Sequence, residues 1–417
     1  GVDIATSVKE APMGGGYIVA GYTNSPTFDG KSNHGEWDMM ILKLDASGNL
    51  VWSRIMGGSA GDFAQAAQET TDGGFIIAGR TYSNDGDIAG NNHSTGRVDY
   101  WIVKLKSDGS NDWLKTFGGP EDDAAYAIQQ TSDGGYIIAG ESSSTGNNIT
   151  NNTGVNGGNG VNGQNDFWLV KISASGTLEW QRAYGGTGDE TAYSIVESAP
   201  GEYVVAGRTS SNDRDVSGNK GGYDYWVVKI KTDHTIEWQK TLGGSAQDIA
   251  YSIKKTSDNG FVIGGATKSN DHDVTGLHGS DNDYWVVKLK PNGDIYWQKA
   301  IGGTGNDVAT SLQQTSDGGY IIAGLSTSSD GDATNSGYHT PDDFWVVKLL
   351  NDPPLSVKWR SISAILKEKN LVVNWATASE VNNDHFEIEI SNDGTHFTKI
   401  GENIASKSLN GNTGENN

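Results

Sequence analysis

Six copies of one stretch constrain what this chain can fold into. The clearest copy is DYWVVKLKPNGDIYWQKAIGGTGND, from Asp283 to Asp307. Related segments begin at Trp37, Asp99, Asp166 and Asp224, and a shortened DFWVVKLL begins at Asp343. Their first tryptophans, Trp37, Trp101, Trp168, Trp226, Trp285 and Trp345, are 64, 67, 58, 59 and 60 residues apart. A period of roughly this size marks one supersecondary unit per copy, stacked on its neighbours to bury a face that it cannot bury alone. Units, rather than the 417-residue length, therefore set the domain count.

Between Asp248 and Gly303 one unit shows its parts. DIAYSIKKTSD runs into the turn SDNG, GFVIGGAT into the polar loop KSNDHDVTGLHGSDN, DYWVVKLK into PNG, and DIYWQKAI into GG. Four short apolar segments, with Gly or Asn where a turn needs a positive torsion, predict a four-stranded antiparallel meander. Segments such as GYIIAG (Gly319 to Gly324) are almost continuously apolar, so both faces of the sheet are covered. Sheets of this kind commonly close radially, and the expectation is an all-β, six-bladed β-propeller over residues 1–350. Small residues at Ala250, Ser252, Ala309 and Ser311 place the first strand of each unit innermost, near the crowded axis. With 58 glycines and β-formers gathered in short runs, no helix of ordinary length is expected.

The array is irregular at its ends and in one loop. Unit one opens at Gly1 directly on an inner strand, and unit six lacks a fourth strand ending in GG. Either a strand from upstream of Gly1 completes unit six and latches the ring, or Leu355 to Ser363 does. Unit three carries an insert of Gly, Asn, Thr and Ser from Ser142 to Asn165, expected to be a mobile loop, with glycosylation-type sequons at Asn148 and Asn151. From residue 351 to 417 the pattern alternates through Leu371 to Trp375, Phe386 to Ile390 and Phe397 to Ile400, as in the opening strands of a β-sandwich.

Two parts of the chain resemble known families. GGS-x-x-D-x-A-x-S-I at Gly243 to Ile253, TSDGGYIIAG at Thr315 to Gly324 and SNDGD followed by DYW at Ser83 to Trp101 resemble the β-propeller repeats of secreted Bacteroidota proteins. LVVNWATASEVNNDHFEIEISNDGTHFTKIGE, from Leu371 to Glu402, is similar to the fibronectin type III-like module that precedes type IX secretion sorting domains. The resemblance implies export from a Gram-negative cell to its surface or medium, with a monomeric propeller inside a larger secreted protein.

The net charge of -22 opposes binding to nucleic acid or anionic membranes, which need basic surface. No apolar span is long enough to cross a membrane as a helix, no leader is recognised, and without cysteine there are no disulfides or thiolate metal sites.

Two acidic sets should share one face of the ring, because the chain reverses at every strand. Asp3, Asp62, Asp123, Glu190, Asp248 and Asp307 open the inner strands. They either fix the Gly-Gly links between units or converge at the channel mouth on a cation or polar ligand. Asp85, Asp87, Asp213, Asp215, Asp271, Asp273, Asp330 and Asp332 lie in loops reading S-N-D-x-D or close variants, a presentation of hard oxygens that calcium could use or that Asx-turns alone explain.

Eleven of the thirteen tryptophans fall in two repeated registers, those above and Trp52, Trp113, Trp180, Trp238 and Trp297, which points to packing between blades. Loop aromatics suited to stacking on a sugar are Tyr82, Tyr223 and Tyr338. The eight histidines show no metal-ligand spacing, there is no nucleophile elbow, and no unit stands apart in its acids as an active site would. The expected function is a non-enzymatic binding or adhesion module that presents an acidic, loop-rich face to a glycan, polymer or protein. The alternatives are a polysaccharide-acting enzyme using ring carboxylates, and a spacer in a larger adhesin.

Overall fold

A computed structural model describes residues 1–88, 97–144, 164–333 and 343–350, and the backbone of four strands between residues 355 and 405. The sequons, Tyr338 and most of the unit-three insert lie outside the described residues. The chain divides into two compact units, Gly1–Gln314 with Ile322–Val347, and Thr315–Ile321 with Lys348–Asn417.

The protein is a six-bladed β-propeller. Blade one consists of Asp3–Glu10, Tyr17–Thr23, Asp38–Leu44 and Leu50–Met56, and blade two of Asp62–Glu69, Phe75–Thr81, Asp99–Leu105 and Asn111–Phe117. Blade three has Asp123–Gln130, Tyr136–Ser142, Asp166–Ile172 and Leu178–Tyr184, and blade four Glu190–Ala199, Glu202–Thr209, Asp224–Ile230 and Ile236–Leu242. Blade five has Asp248–Lys255, Phe261–Thr267, Asp283–Leu289 and Ile295–Ile301. In each of these the four strands pair in chain order, leaving aside a two-residue ribbon, Thr27–Phe28 with Lys31–Ser32, in the blade-one loop.

Blade six has three strands, Asp307–Gln314, Tyr320–Ser326 and Asp343–Leu349. Leu355–Lys367 pairs with Asn370–Val381 in a separate two-stranded sheet, so the segment starting at Leu355 does not supply the fourth strand. His385–Ile390 pairs with Thr398–Ala405. The only helical turns among the described residues are Gly86–Ile88 and Gly331–Ala333.

First strands of successive blades contact one another, which makes them the inner strands. Their alanines, Ala64, Ala125, Ala192, Ala250 and Ala309, are fully buried. The core lies between blades: Ile77 and Val103 of blade two pack with Ile41 and Met56 of blade one, and the pattern repeats around the array. Across successive third strands run the aromatic pairs Tyr100–Trp168, Phe167–Trp226 and Tyr225–Trp285, with ring centroids 4.4 to 4.6 Å apart. The outer-strand tryptophans reach the next blade's last turn. The Trp52 and Trp113 Nε1–H groups donate to Ser107 O and Ala174 O, and each ring covers a turn glycine, Gly109 or Gly176.

One tryptophan belongs elsewhere. Met40, not Trp37, pairs with Gly21 as Trp101 pairs with Gly79, so Met40 holds the buried position in blade one. Trp37 lies one residue before the third strand, half-buried, in an isolated bridge to Gly61. The spacing of 64 residues from Trp37 to Trp101 conceals this, since Met40 to Trp101 is 61.

Candidate functional site at the channel mouth

Both predicted acidic sets gather at the end of the propeller from which the blade links emerge, and the Gly-Gly link is what they surround. At the junction of blades four and five, Gly243 N donates to Asp273 Oδ2 (3.2 Å), Gly244 N to Asp248 Oδ2 (2.8 Å) and Ser245 N to Asp271 Oδ1 (2.8 Å). Thr267 and Ser269 hydroxyls complete the shell of Asp248. Three other junctions repeat this. Asp87, Asp62 and Asp85 hold Gly57, Gly58 and Ser59; Asp215, Glu190 and Asp213 hold Gly185, Gly186 and Thr187; Asp332, Asp307 and Asp330 hold Gly302, Gly303 and Thr304. Asp123 accepts from Gly119 N and Ser144 Oγ, both at 2.7 Å.

Five of the six inner carboxylates are thus buried and fasten the links. Asp62, Asp123, Glu190, Asp248 and Asp307 have no exposed surface. Asp3 is exposed and accepts from the Thr23 and Ser25 hydroxyls. All eight loop aspartates accept link amides, and among the described residues no three His, Asp or Glu side chains form a group that could hold a metal ion.

A second buried acid, the first residue of the third strand, adjoins each link. A Cβ on Gly302 would lie 2.5 Å from Asp283 Oδ1 and 2.6 Å from Asp307 Oδ2, so the second function of the Gly-Gly pair is to admit two carboxyls. Burial disfavours their charge. It pushes Asp62 and Asp123 up to about 6, and burial with the adjoining Glu190 pushes Asp166 up to about 7. His34 and His278 offset this in two blades, each with Nδ1 2.7 to 2.8 Å from Asp38 or Asp283.

What differs from blade to blade lies beside these fasteners. The next-to-last residue of the second strand is Tyr22, Arg80, Glu141, Arg208, Ala266 and Leu325 in turn, and its partner across the ladder is Ile4, Phe63, Ala124, Thr191 or Ile249 in the first five blades. The fourth residue of the inner strand is bulged in those five blades, and it is Thr6, Gln65, Tyr126, Tyr193 and Tyr251. A bulged residue drops out of the ladder and is re-aimed, a device common beside functional sites.

In blades three to five the bulges set three half-buried tyrosines in a row, with centroids 5.2 Å apart from Tyr126 to Tyr193 and from Tyr193 to Tyr251. Glu141 accepts from Tyr126 Oη (2.9 Å) and Thr191 Oγ1 (2.6 Å). Burial pushes the Tyr193 hydroxyl up to about 12, so it remains a hydrogen-bond donor at any ordinary pH. Toward blade one the aromatic surface continues through Phe63, Tyr22 and Trp37, with Tyr82 6.3 Å from Phe63. Between blades two and three opens a cavity of about 380 Å³, lined by Arg80, Tyr82, Arg97, Asp122 and Glu141 among others. That volume is within the range of small-ligand sites.

Tyr82 and Tyr223, marked from the sequence, both belong to this region. Tyr82 lines the cavity, and Tyr223 lies 4.4 Å beneath the Arg208 guanidinium. Sequence reasoning passed over Arg80, Glu141, Arg208 and the tyrosine row because it sought repeated residues. The available signal was change between repeats aligned by strand: the Arg80, Glu141 and Arg208 position differs from blade to blade, and Thr6 and Gln65 give way to tyrosine in blades three to five.

No family model matches the chain. It is 24% identical over 365 residues to the regulatory protein FlaEY of Caulobacter vibrioides, an alignment covering 74% of this chain and 35% of that protein. The chain therefore spans about a third of that relative. Among solved structures it is similar to the Pan2 WD40 domain of Neurospora crassa, with TM-score 0.43, 11% identity, and coverage of 78% of this chain and 73% of that one. BamB from Moraxella catarrhalis gives TM-score 0.38 and 12% identity, covering 84% and 86%. A putative gluconolactonase gives 0.39 and 9%, covering 84% and 90%.

Proposed function

We propose that this protein is a non-enzymatic binding module of the cell surface or the surrounding medium, whose ligand is a glycan seated on the channel mouth across blades one to five. The observation that carries the reading is the row Tyr126, Tyr193 and Tyr251. Three contiguous blades place a half-buried tyrosine at a bulge beside the channel mouth, each ring set against the next. Tyrosine faces stack on the apolar faces of sugar rings, while their hydroxyls and neighbouring polar groups meet the ring hydroxyls. Glu141, between Tyr126 and Thr191, supplies an acceptor of fixed orientation.

The polysaccharide-cleaving alternative relies on the inner carboxylates, and these are engaged with link amides beneath the surface. The placement outside the cell follows from the resemblance of the repeats and of the Leu371–Glu402 segment. A glycan array, followed by calorimetry on the best binder, tests the reading. Tyr193→Ala is expected to weaken binding by about 10-fold or more while leaving the melting temperature within a degree or two. Loss of nothing but stability would return Tyr193 to the scaffold, and a complete absence of array binders would favour the spacer.

A further inference from the structure

Arg80 and Arg208 occupy the same position in blades two and four, and Glu141 occupies it in blade three between them. Three other arginines of the propeller, Arg54, Arg97 and Arg214, are engaged by protein acceptors, while Arg182 on an outer strand lies 5.2 Å over the Tyr184 ring. Arg54 donates to Gly109 O and Asn111 Oδ1, and Arg97 pairs with Glu121 (2.6 Å) and Asp122 (3.3 Å). Arg80 and Arg208 are held instead by aromatic faces, Arg80 5.1 Å over Phe63 and Arg208 4.4 Å over Tyr223 and 6.0 Å over Tyr193. Among the described residues neither guanidinium has a hydrogen bond or ion pair, and the Nε of each is buried without an acceptor.

A shortage of carboxylates does not explain this, for the chain has 52 acidic residues against 30 basic. Glu141 turns its oxygens to Tyr126 and Thr191. An aromatic face beneath a guanidinium leaves the in-plane N–H groups free, and those groups match a carboxylate in bidentate geometry.

We infer that the mouth recognises a carbohydrate bearing an isolated carboxylate, such as one uronic acid unit in a neutral oligosaccharide. Arg80 or Arg208 takes the acid group, and the tyrosine row takes the rings. The inference rests on the glycan-binding reading above and narrows it. Isolation of the charge follows from Glu141 and from the net charge of -22, which repel a dense polyanion, whereas at ionic strength near 0.15 M the field of distant charges is screened within about 8 Å. A single acid group that reaches the guanidinium therefore responds to its immediate partner.

The test uses the full chain and pairs of oligosaccharides that differ only in whether one glucose unit is oxidised to glucuronic acid. The acidic member is expected to bind about 10-fold more tightly. Raising NaCl from 0.05 to 0.5 M should shrink that preference, and the double variant Arg80→Gln, Arg208→Gln should remove it while neutral-sugar affinity persists. Tyr193→Ala should weaken both members alike. Equal binding of the two members, or a preference that survives the double variant, overturns the carboxylate assignment and leaves glycan binding standing. Failure of both members to bind in any pair removes both readings. Binding of poly-glutamate in place of every sugar overturns the inference in favour of an acidic protein partner.

Discussion

At the junctions of this propeller the chain repeats itself: a Gly-Gly link, an inner acid and a buried third-strand acid recur at each, and a loop aspartate pair at all but the junction of blades two and three, with hydrogen-bond lengths that agree within a few tenths of an ångström. At the mouth, a few residues away on the same strands, it changes from Tyr22 to Arg80, Glu141, Arg208 and Ala266. The contrast teaches how such a fold divides labour. Repetition preserves the geometry that every blade must share, and departures from it collect at the mouth, where neighbouring blades meet through Glu141 and Thr191 and through the tyrosine row.

Substitutions can break that division. The largest effect is expected between two tryptophans. Trp285→Ala removes a fully buried ring and should cost about 3–5 kcal/mol, whereas Trp37→Ala, at the half-buried mouth, should cost under about 1 kcal/mol and weaken glycan binding. Equal losses in chemical denaturation would return Trp37 to the packing register.

Asp248→Ala strips acceptors from Gly244 N and two hydroxyls, and is expected to cost about 2–4 kcal/mol with affinity unchanged. An altered affinity in a protein that still folds would show that the fasteners also act as ligands. Gly293 has φ +82°, and its Cβ would lie 2.9 Å from Trp238, so Gly293→Ala should cost about 1–2 kcal/mol by the same assay.

The pH profile sharpens the comparison further. Asp62, Asp123 and Asp166 have folded-state values raised to between about 6 and 7, so the folded state binds their protons more tightly than the unfolded state does. Their contribution is fully present below the ordinary value of 3.8 and is lost as pH rises through 6 to 7. Asp72 and Asp133 behave in the opposite sense. Burial raises them, but a threonine hydroxyl and a buried lysine bring them down to about 2, so their contribution is present above 3.8 and lost as pH falls toward 2. Melting temperature should therefore peak between about pH 4 and 6, and a steady rise to pH 8 would contradict the buried-acid assignment.

The smallest expected effect is that of calcium. Chelator and added calcium should each move the melting temperature by less than about a degree, because the loop aspartates already accept amide protons. A clear rise on adding calcium would restore the metal-binding reading of Asp85, Asp213, Asp271 and Asp330.

Much of the fold was legible before any coordinates. Segments such as DYWVVKL bury both faces, and their recurrence defines strands, turns and blade count by local rules. The site was less legible. Trp37 was drawn into the packing register by its spacing, because an Asp-anchored strand start cannot be told from a Trp-anchored one until hydrogen-bond partners are known. The inner acids left two roles open, since a carboxylate beside Gly-Gly looks the same in sequence whether it faces a channel or an amide.

By itself the sequence determined a periodic, turn-punctuated β array with six meanders, because alternation, turn residues and repeat length are local properties. Only the tertiary structure decided which acids are buried, that bulges in three adjacent blades align Tyr126, Tyr193 and Tyr251, and that Arg80 and Arg208 rest on rings rather than carboxylates. The tyrosine row depends on residues about one repeat apart meeting across blade junctions, and the arginines on rings 15 to 17 residues away within one blade, separations that no local pattern records.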